Sequence, residues 1–361
     1  MNISVVKKST KPLYINSDGD SVVYHKGLLV ILDKRKRKKN IIRLPLSFTK
    51  RAAVRIRFFE RMLRLVPRGA EFLDDGCFVF AYNGKIYRAD LTEGAVTEEY
   101  RLLRGMNSPL TINKIEKVEG FEDCLVFGDY TQNKDCKPVS IYARGLRKEC
   151  RWEKKFEFAD KQISHVHAVI ADPYRKGLIV LTGDSNKGSA VWLIRDNYRS
   201  AECLVSGMQK YRSCAAAVLK EGIIYATDTP LEQNFLYELS RRKGEWKTRE
   251  ICKLSGPSVY SVQTENGIYF STTVEPDSRL SYLKKMFSTK PGEGVKDKAS
   301  HIVRYASGEA KEILFLEKDV FPMGLLQFGS IQFPKQYENH CLHAYVCGLK
   351  KYDGCWIRIT L

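Results

Sequence analysis

The stretch HVHAVIADPYRKGLIVLTGDSNKGSAVWLIRD, residues 165–196, decides how the rest of the chain is read. LIVLTGD from Leu178 and AVWLIRD from Ala190 are β-rich runs separated by turn residues, and HVHAVIAD from His165 precedes them as a further strand-like run. The same pattern occurs seven times. Its leading runs are SVVYH at Ser21, CFVFAY at Cys77, CLVFGDY at Cys124, LIVLTGD at Leu178, IIYATD at Ile223, IYFSTT at Ile268 and CLHAYVC at Cys341. Partner runs follow each one, from GLLVILD at Gly27 to WIRITL at Trp356. Two successive steps, 178 to 223 and 223 to 268, are both 45 residues. With about four strands per unit, the spacing predicts an all-β, seven-bladed β-propeller.

The last unit ends at Leu361 after three strands, while Ile3 to Val6 is a strand left over at the start. The N-terminal strand is therefore expected to close the last blade. Residues 1–361 then form a single domain, because neither half buries its sheet faces alone.

Strand direction sorts the polar residues by rim. Arg104, His165, His167, Tyr211, Arg212, Tyr260 and Gln327 enter first strands, and Asp129, Tyr130, Asp184, Asp228 and Glu275 end second strands. All are expected around the mouth of the central channel, where a concave polar pocket forms. His165 and His167 alternate along a strand and share a side. Such a pair serves as a general base, as a substrate hydrogen-bonder or as metal ligands, or else is satisfied by backbone inside a blade. Asp129, Asp184 and Asp228 either cap hairpins or supply the acid and nucleophile of glycoside hydrolysis. Arg104 and Arg212 offer planar forks for a sugar carboxylate, and Tyr130, Asp228, Tyr260 and Gln327 complete the expected substrate contacts. No GxSxG, HExxH or GxxxxGK[ST] motif occurs.

Charge points in the same direction. The chain has 361 residues and a net charge of +18. The run KRKRKK at Lys34 to Lys39 supplies +6, Lys50 to Arg68 supplies +6 and Lys284 to Lys298 supplies +3. Phe48 to Val66 reads as one inserted basic helix, with Ala52, Ile56, Phe59, Leu63 and Val66 as its apolar face and a solvated arginine face. Residues 283–300 read as a lid-like loop, and KRKRKK as a hairpin tip on the opposite rim. Two basic inserts beside the site favour an anionic oligo- or polysaccharide over specific nucleic acid. The opening MNISVVKKSTKP lacks the apolar stretch of a signal peptide, so a cytoplasmic location is expected, and no run approaches a membrane span. The ten cysteines form no CxxC pair and are expected to be reduced thiols.

Several stretches together resemble a known family: FGDY at Phe127, HVHAVIADPY at His165, LTGDSNKGSAVWLIRDN at Leu181, YR at Tyr211, ATDTP at Ala226, STTVEP at Ser271 and LLQFGSIQFP at Leu325. They are similar to BNR-repeat, sialidase-like propellers, and more closely to the glycosyl-hydrolase-like proteins encoded among surface-polysaccharide genes. SNKGSAVWLI resembles an Asp-box in which Lys187 replaces the aspartate. The resemblance implies a carbohydrate-active enzyme. As a glycoside hydrolase it would use Asp184 or Asp129 as acid or nucleophile, with His165 and His167 assisting. As a polysaccharide lyase it would use His165 or Tyr211 as base and Arg212 as carboxylate neutraliser. A non-catalytic glycan- or protein-binding propeller is the third expectation. No cofactor is expected, although a divalent metal at His165/His167 is compatible with the pair.

Overall fold

Short antiparallel strands dominate the computed structural model, which describes residues 2–73, 76–338 and 341–360. They form successive sheets, most of them four-stranded and antiparallel. Leu361, at the end of the last expected partner run from Trp356, lies outside the described residues. No described helix is long and apolar enough to cross a membrane. All ten cysteines are free. The residues divide into two compact units.

One unit comprises residues 67–227 and 237–250. Arg68–Phe72, Cys77–Tyr82, Lys85–Asp90 and Val96–Arg101 form its first sheet, and Asn113–Ile115, Cys124–Gly128, Val139–Gly145 and Glu153–Phe158 its second. The third is His165–Asp172, Gly177–Gly183, Ala190–Arg195 and Ser200–Ser206. A fourth begins with Ser213–Val218 and Gly222–Thr227.

The run Leu178 to Leu181 is apolar without alternation because both faces of its sheet are covered. Leu178 and Val180 pack with Ile115, Val126 and Phe158 of the preceding sheet, whereas Ile179 and Leu181 pack with Ile223, Tyr225 and Leu239 of the following one. Each such side chain contributes about 1.5–3 kcal/mol on burial. Leu125 and Phe127 likewise pack with Val79, Ala81 and Ile86 one sheet earlier. Outer strands lose this cover, and Ser200–Ser206 is mostly exposed.

The other unit comprises residues 1–66, 228–236 and 251–361. A five-stranded sheet holds Thr10–Ile15, Ser21–His25, Leu28–Leu32 and Lys38–Arg43, with Lys335–Gln336 beside the first strand. An eight-stranded sheet joins two successive four-strand groups through Thr273↔Ser330 and Val274↔Gly329. Within it the N-terminal strand Asn2–Lys7 pairs antiparallel with Trp356–Thr360, Ile3 opposite Ile359. KRKRKK turns between Leu28–Leu32 and Lys38–Arg43, where the Lys36 ammonium donates to the Gly19 carbonyl at 2.8 Å and lies 4.9 Å from the Trp356 ring centroid.

The basic insert departs from the sequence expectation in two ways. It is two short helices, Phe48–Ala53 and Arg57–Met62, instead of one over 48–66. Its faces are also reversed, because Ile56, Phe59 and Leu63 are exposed while Arg61 is buried. Arg57 donates to Asp353 at 2.9 and 3.0 Å and to Glu60 and the Tyr345 hydroxyl at 2.8 Å, and Arg61 pairs with Asp319 at 2.7 Å. These partners compensate the desolvated guanidinium groups, which a solvated arginine face would not require. The 283–300 segment also differs from an open lid. It continues a helix, Tyr282–Phe287, and then packs tightly, since a Cβ on Gly294 would lie 2.4 Å from the Thr229 carbonyl oxygen.

First strands share a device that the sequence does not reveal. Register shifts leave one residue unpaired within five of them: Leu13, Gly69, His167, Cys214 and Val259. Bulges of this kind re-aim a side chain.

Candidate functional site

His167 is the one imidazole among those five bulge residues, and the surrounding backbone makes room for it. A Cβ on Gly183 would lie 2.4 Å from His167 Cε1, so that position accepts only glycine without displacement. Gly128 plays the same part beside Val166, whose side chain would meet a Cβ at 2.4 Å. His165 sits opposite Gly183 in register. Both imidazoles are buried, at 5% and 2% exposure.

Their Nε2 atoms are 2.9 Å apart. His165 Nδ1 lies 3.0 Å from the Thr131 carbonyl oxygen and His167 Nδ1 lies 2.8 Å from that of Ser213. Asp184, which follows the Gly177–Gly183 strand, places Oδ1 3.4 Å from His165 Nε2 and 3.6 Å from His167 Nε2. Arg212 reaches the same oxygen with Nη2 at 2.9 Å. Half of the Asp184 side chain is exposed, so this end of the cluster opens to solvent. Burial alone would raise the Asp184 carboxyl, but the imidazoles and the Arg212 charge override it and hold it far below the usual range. The Tyr130 ring centroid stands 4.7 Å from that of His165. Tyr211 precedes Arg212 in a single 3-10 turn, with the Lys210 ammonium 5.0 Å from its ring centroid.

His165, His167, Asp184, Arg212 and Tyr130 are thus brought together, whereas Tyr211, next to Arg212 in the chain, packs against the apolar cluster of Ile223, Tyr225 and Leu239. Asp129 is turned to other work: its Oδ2 accepts from the Ser140 backbone N–H at 3.0 Å across the hairpin. Burial pushes its carboxyl up to about 6. Arg104 lies on an exposed turn of the same unit. The remaining expected residues belong to the other unit. Asp228 is buried there and Tyr260 is half-buried in the Ser258–Thr264 strand. Gln327 donates to the Arg61 carbonyl at 2.8 Å, and Glu275 accepts from Thr273 Oγ1 at 2.5 Å.

Gln209 was not legible as a site residue. It donates to the Asp184 carbonyl at 3.0 Å and to Asn186 Oδ1 at 2.8 Å, tying the 3-10 turn to the Asp184 loop. The Thr131 and Ser213 carbonyls were equally hidden, because a backbone atom leaves no mark in a sequence pattern.

No family model matches the chain, and no curated protein matches it. Among solved structures it is similar to the AfRom2 CNH domain over 100% of this chain and 99% of that one, at a TM-score of 0.57 and 7% identity. It is also similar to a chain of the mitotic checkpoint complex, over 99% and 93%, with a TM-score of 0.52 and 8% identity. A third likeness is to dihydro-heme d1 dehydrogenase NirN in complex with DHE, at a TM-score of 0.48 and 13% identity. There the match covers 96% of this chain and spans 60% of the NirN chain. At these identities the likeness to the first two is one of fold alone.

Proposed function

We propose that the four-strand groups are seven blades of one closed β-propeller, and that its His165–His167–Asp184–Arg212 cluster cleaves an acidic oligo- or polysaccharide by β-elimination. The stacked sheets, the pairing of the first strand with the last and the BNR-like sequence stretches support the fold and the substrate class. One observation carries the choice of elimination. The two carboxylates that hydrolysis would use are not deployed as a pair, since Asp184 is bound to Arg212 and Asp129 to the Ser140 amide. Glycoside hydrolysis needs two carboxyls flanking the bond, one of them protonated. Elimination instead needs a cation on the uronate carboxylate and a base at the adjacent carbon.

Arg212, already beside Asp184, supplies the cation. The base is Tyr211, next to Arg212 in the turn. The phenolic oxygen of Tyr211 removes the proton α to the carboxylate, the electron pair forms the carbon–carbon double bond, and the glycosidic oxygen leaves, taking that proton back from the tyrosine. The test is incubation with uronate-containing glycans while the ultraviolet absorbance of the unsaturated sugar is followed. A rise supports elimination. New reducing ends without that absorbance return the site to hydrolysis, and binding without turnover assigns the chain to glycan recognition.

A further inference from the structure

The proton inventory of the imidazole pair implies more than a base or a hydrogen-bonder. A carbonyl oxygen only accepts, so the contacts to Thr131 and Ser213 place hydrogen on Nδ1 of both rings. Both rings therefore turn Nε2 away from the backbone and into the cluster. The two Nε2 atoms lie 2.9 Å apart, with the Asp184 carboxylate oxygen at 3.4 and 3.6 Å. Two imidazole nitrogens and a carboxylate oxygen converging within 4.8 Å form a ligand set that suits a cation.

We propose that the cation is a divalent first-row transition ion of the Zn2+ class, bound by His165 Nε2, His167 Nε2 and Asp184 Oδ1. Spacing supports this directly. Bonds of about 2.0–2.1 Å in a tetrahedral site put ligand atoms roughly 3.3 Å apart, and the observed separations of 2.9, 3.4 and 3.6 Å bracket that value. The second layer also has the required form. Metal-binding imidazoles donate their other N–H to a carbonyl or carboxylate, and the ligating carboxylate is itself hydrogen-bonded, as Asp184 is by Arg212. Three protein ligands leave a fourth position, on the side where Asp184 meets solvent.

A second cluster in the chain shows the contrast. Glu338, Cys341 and His343 also converge. There the Trp356 indole N–H donates to His343 Nδ1 at 2.9 Å, which places the His343 proton on Nε2, facing Glu338 at 3.0 Å. Its lone pair is spent, so this cluster is complete without an ion.

Metal binding at His165, His167 and Asp184 does not depend on glycan cleavage; only the ion's part in neutralising the sugar carboxylate rests on the elimination reading. The test is titration of the chelator-stripped full chain with Zn2+ by calorimetry and with Co2+ by visible absorption. One equivalent should bind, with the Co2+ bands of a four-coordinate nitrogen and oxygen site. His167→Ala and Asp184→Asn should each weaken binding by about 10-fold or more, and Glu338→Gln should leave it unchanged. Because Asp184 is half-exposed, its variant reports on the site even if the histidine variant misfolds. Absence of stoichiometric binding, or binding that survives both Asp184→Asn and His167→Ala, overturns the proposal. If the ion binds and no glycan is cleaved, the metal site stands and the elimination reading falls.

Discussion

His165 and His167 meet Nε2 to Nε2 at 2.9 Å, each with its far nitrogen anchored on a backbone carbonyl. That arrangement depends on the backbone opposite as much as on the rings themselves. Gly183→Ala would place a Cβ 2.4 Å from His167 Cε1 and 3.0 Å from its Nε2. The variant should lose about 1–3 kcal/mol of stability through overpacking, read by urea unfolding, and should lose glycan turnover at least tenfold. Unchanged turnover would mean that the close contact of the rings is not needed.

Asp129→Asn separates a hairpin brace from a catalytic carboxyl. Burial raises the Asp129 carboxyl from 3.8 to about 6 in the fold, so folding favours its neutral form. That contribution to stability is present below about pH 3.8 and is lost as pH rises through about 6. Asparagine stays neutral and can still accept from the Ser140 N–H. Thermal unfolding against pH should therefore show the variant gaining on the wild type between about pH 4 and 6 and holding the gain above it. Turnover should stay within a few-fold of wild type, whereas a loss of two or more orders of magnitude would restore Asp129 as a catalytic acid.

The reversed helical insert makes a paired prediction. Arg61 is buried and bonded to Asp319 and to the Leu326 carbonyl, whereas Phe59 is 40% exposed. Arg61→Met should cost on the order of 2 kcal/mol by denaturant unfolding, since Lys318 still pairs with Asp319. Phe59→Ser should cost under about 1 kcal/mol. The opposite ranking would fit the apolar face turned inward.

Arg212→Lys keeps the charge but loses the planar fork. It should bind acidic glycans more weakly and turn them over at least tenfold more slowly, with little change in the melting temperature, because a lysine cannot engage a carboxylate bidentately. Equal turnover would show that the guanidinium does not hold the substrate.

Much of this was readable from residues. The pair His165 and His167 could be singled out from its spacing, and the leftover strand at Ile3 pairs with Ile359. Alternation and repeat length are local properties, so they survive translation into structure. What could not be read depends on distant partners. Arg57 and Arg61 turn inward because Asp353 and Asp319 are there to receive them, almost 300 and over 250 residues away. Asp129 and Asp184 look alike in the sequence, each closing a strand, yet one meets an amide and the other a guanidinium. The bulge that makes His167 equivalent to Cys214 and Leu13 is a matter of register, which no single strand displays.

The most direct test of the proposed chemistry is cleavage of a uronate-containing oligosaccharide in water enriched in oxygen-18, with the products weighed by mass spectrometry. Elimination breaks the bond without adding water, so the product masses should sum to that of the substrate and carry no label from the cleavage step. Products heavier by one labelled water would show hydrolysis and contradict the account.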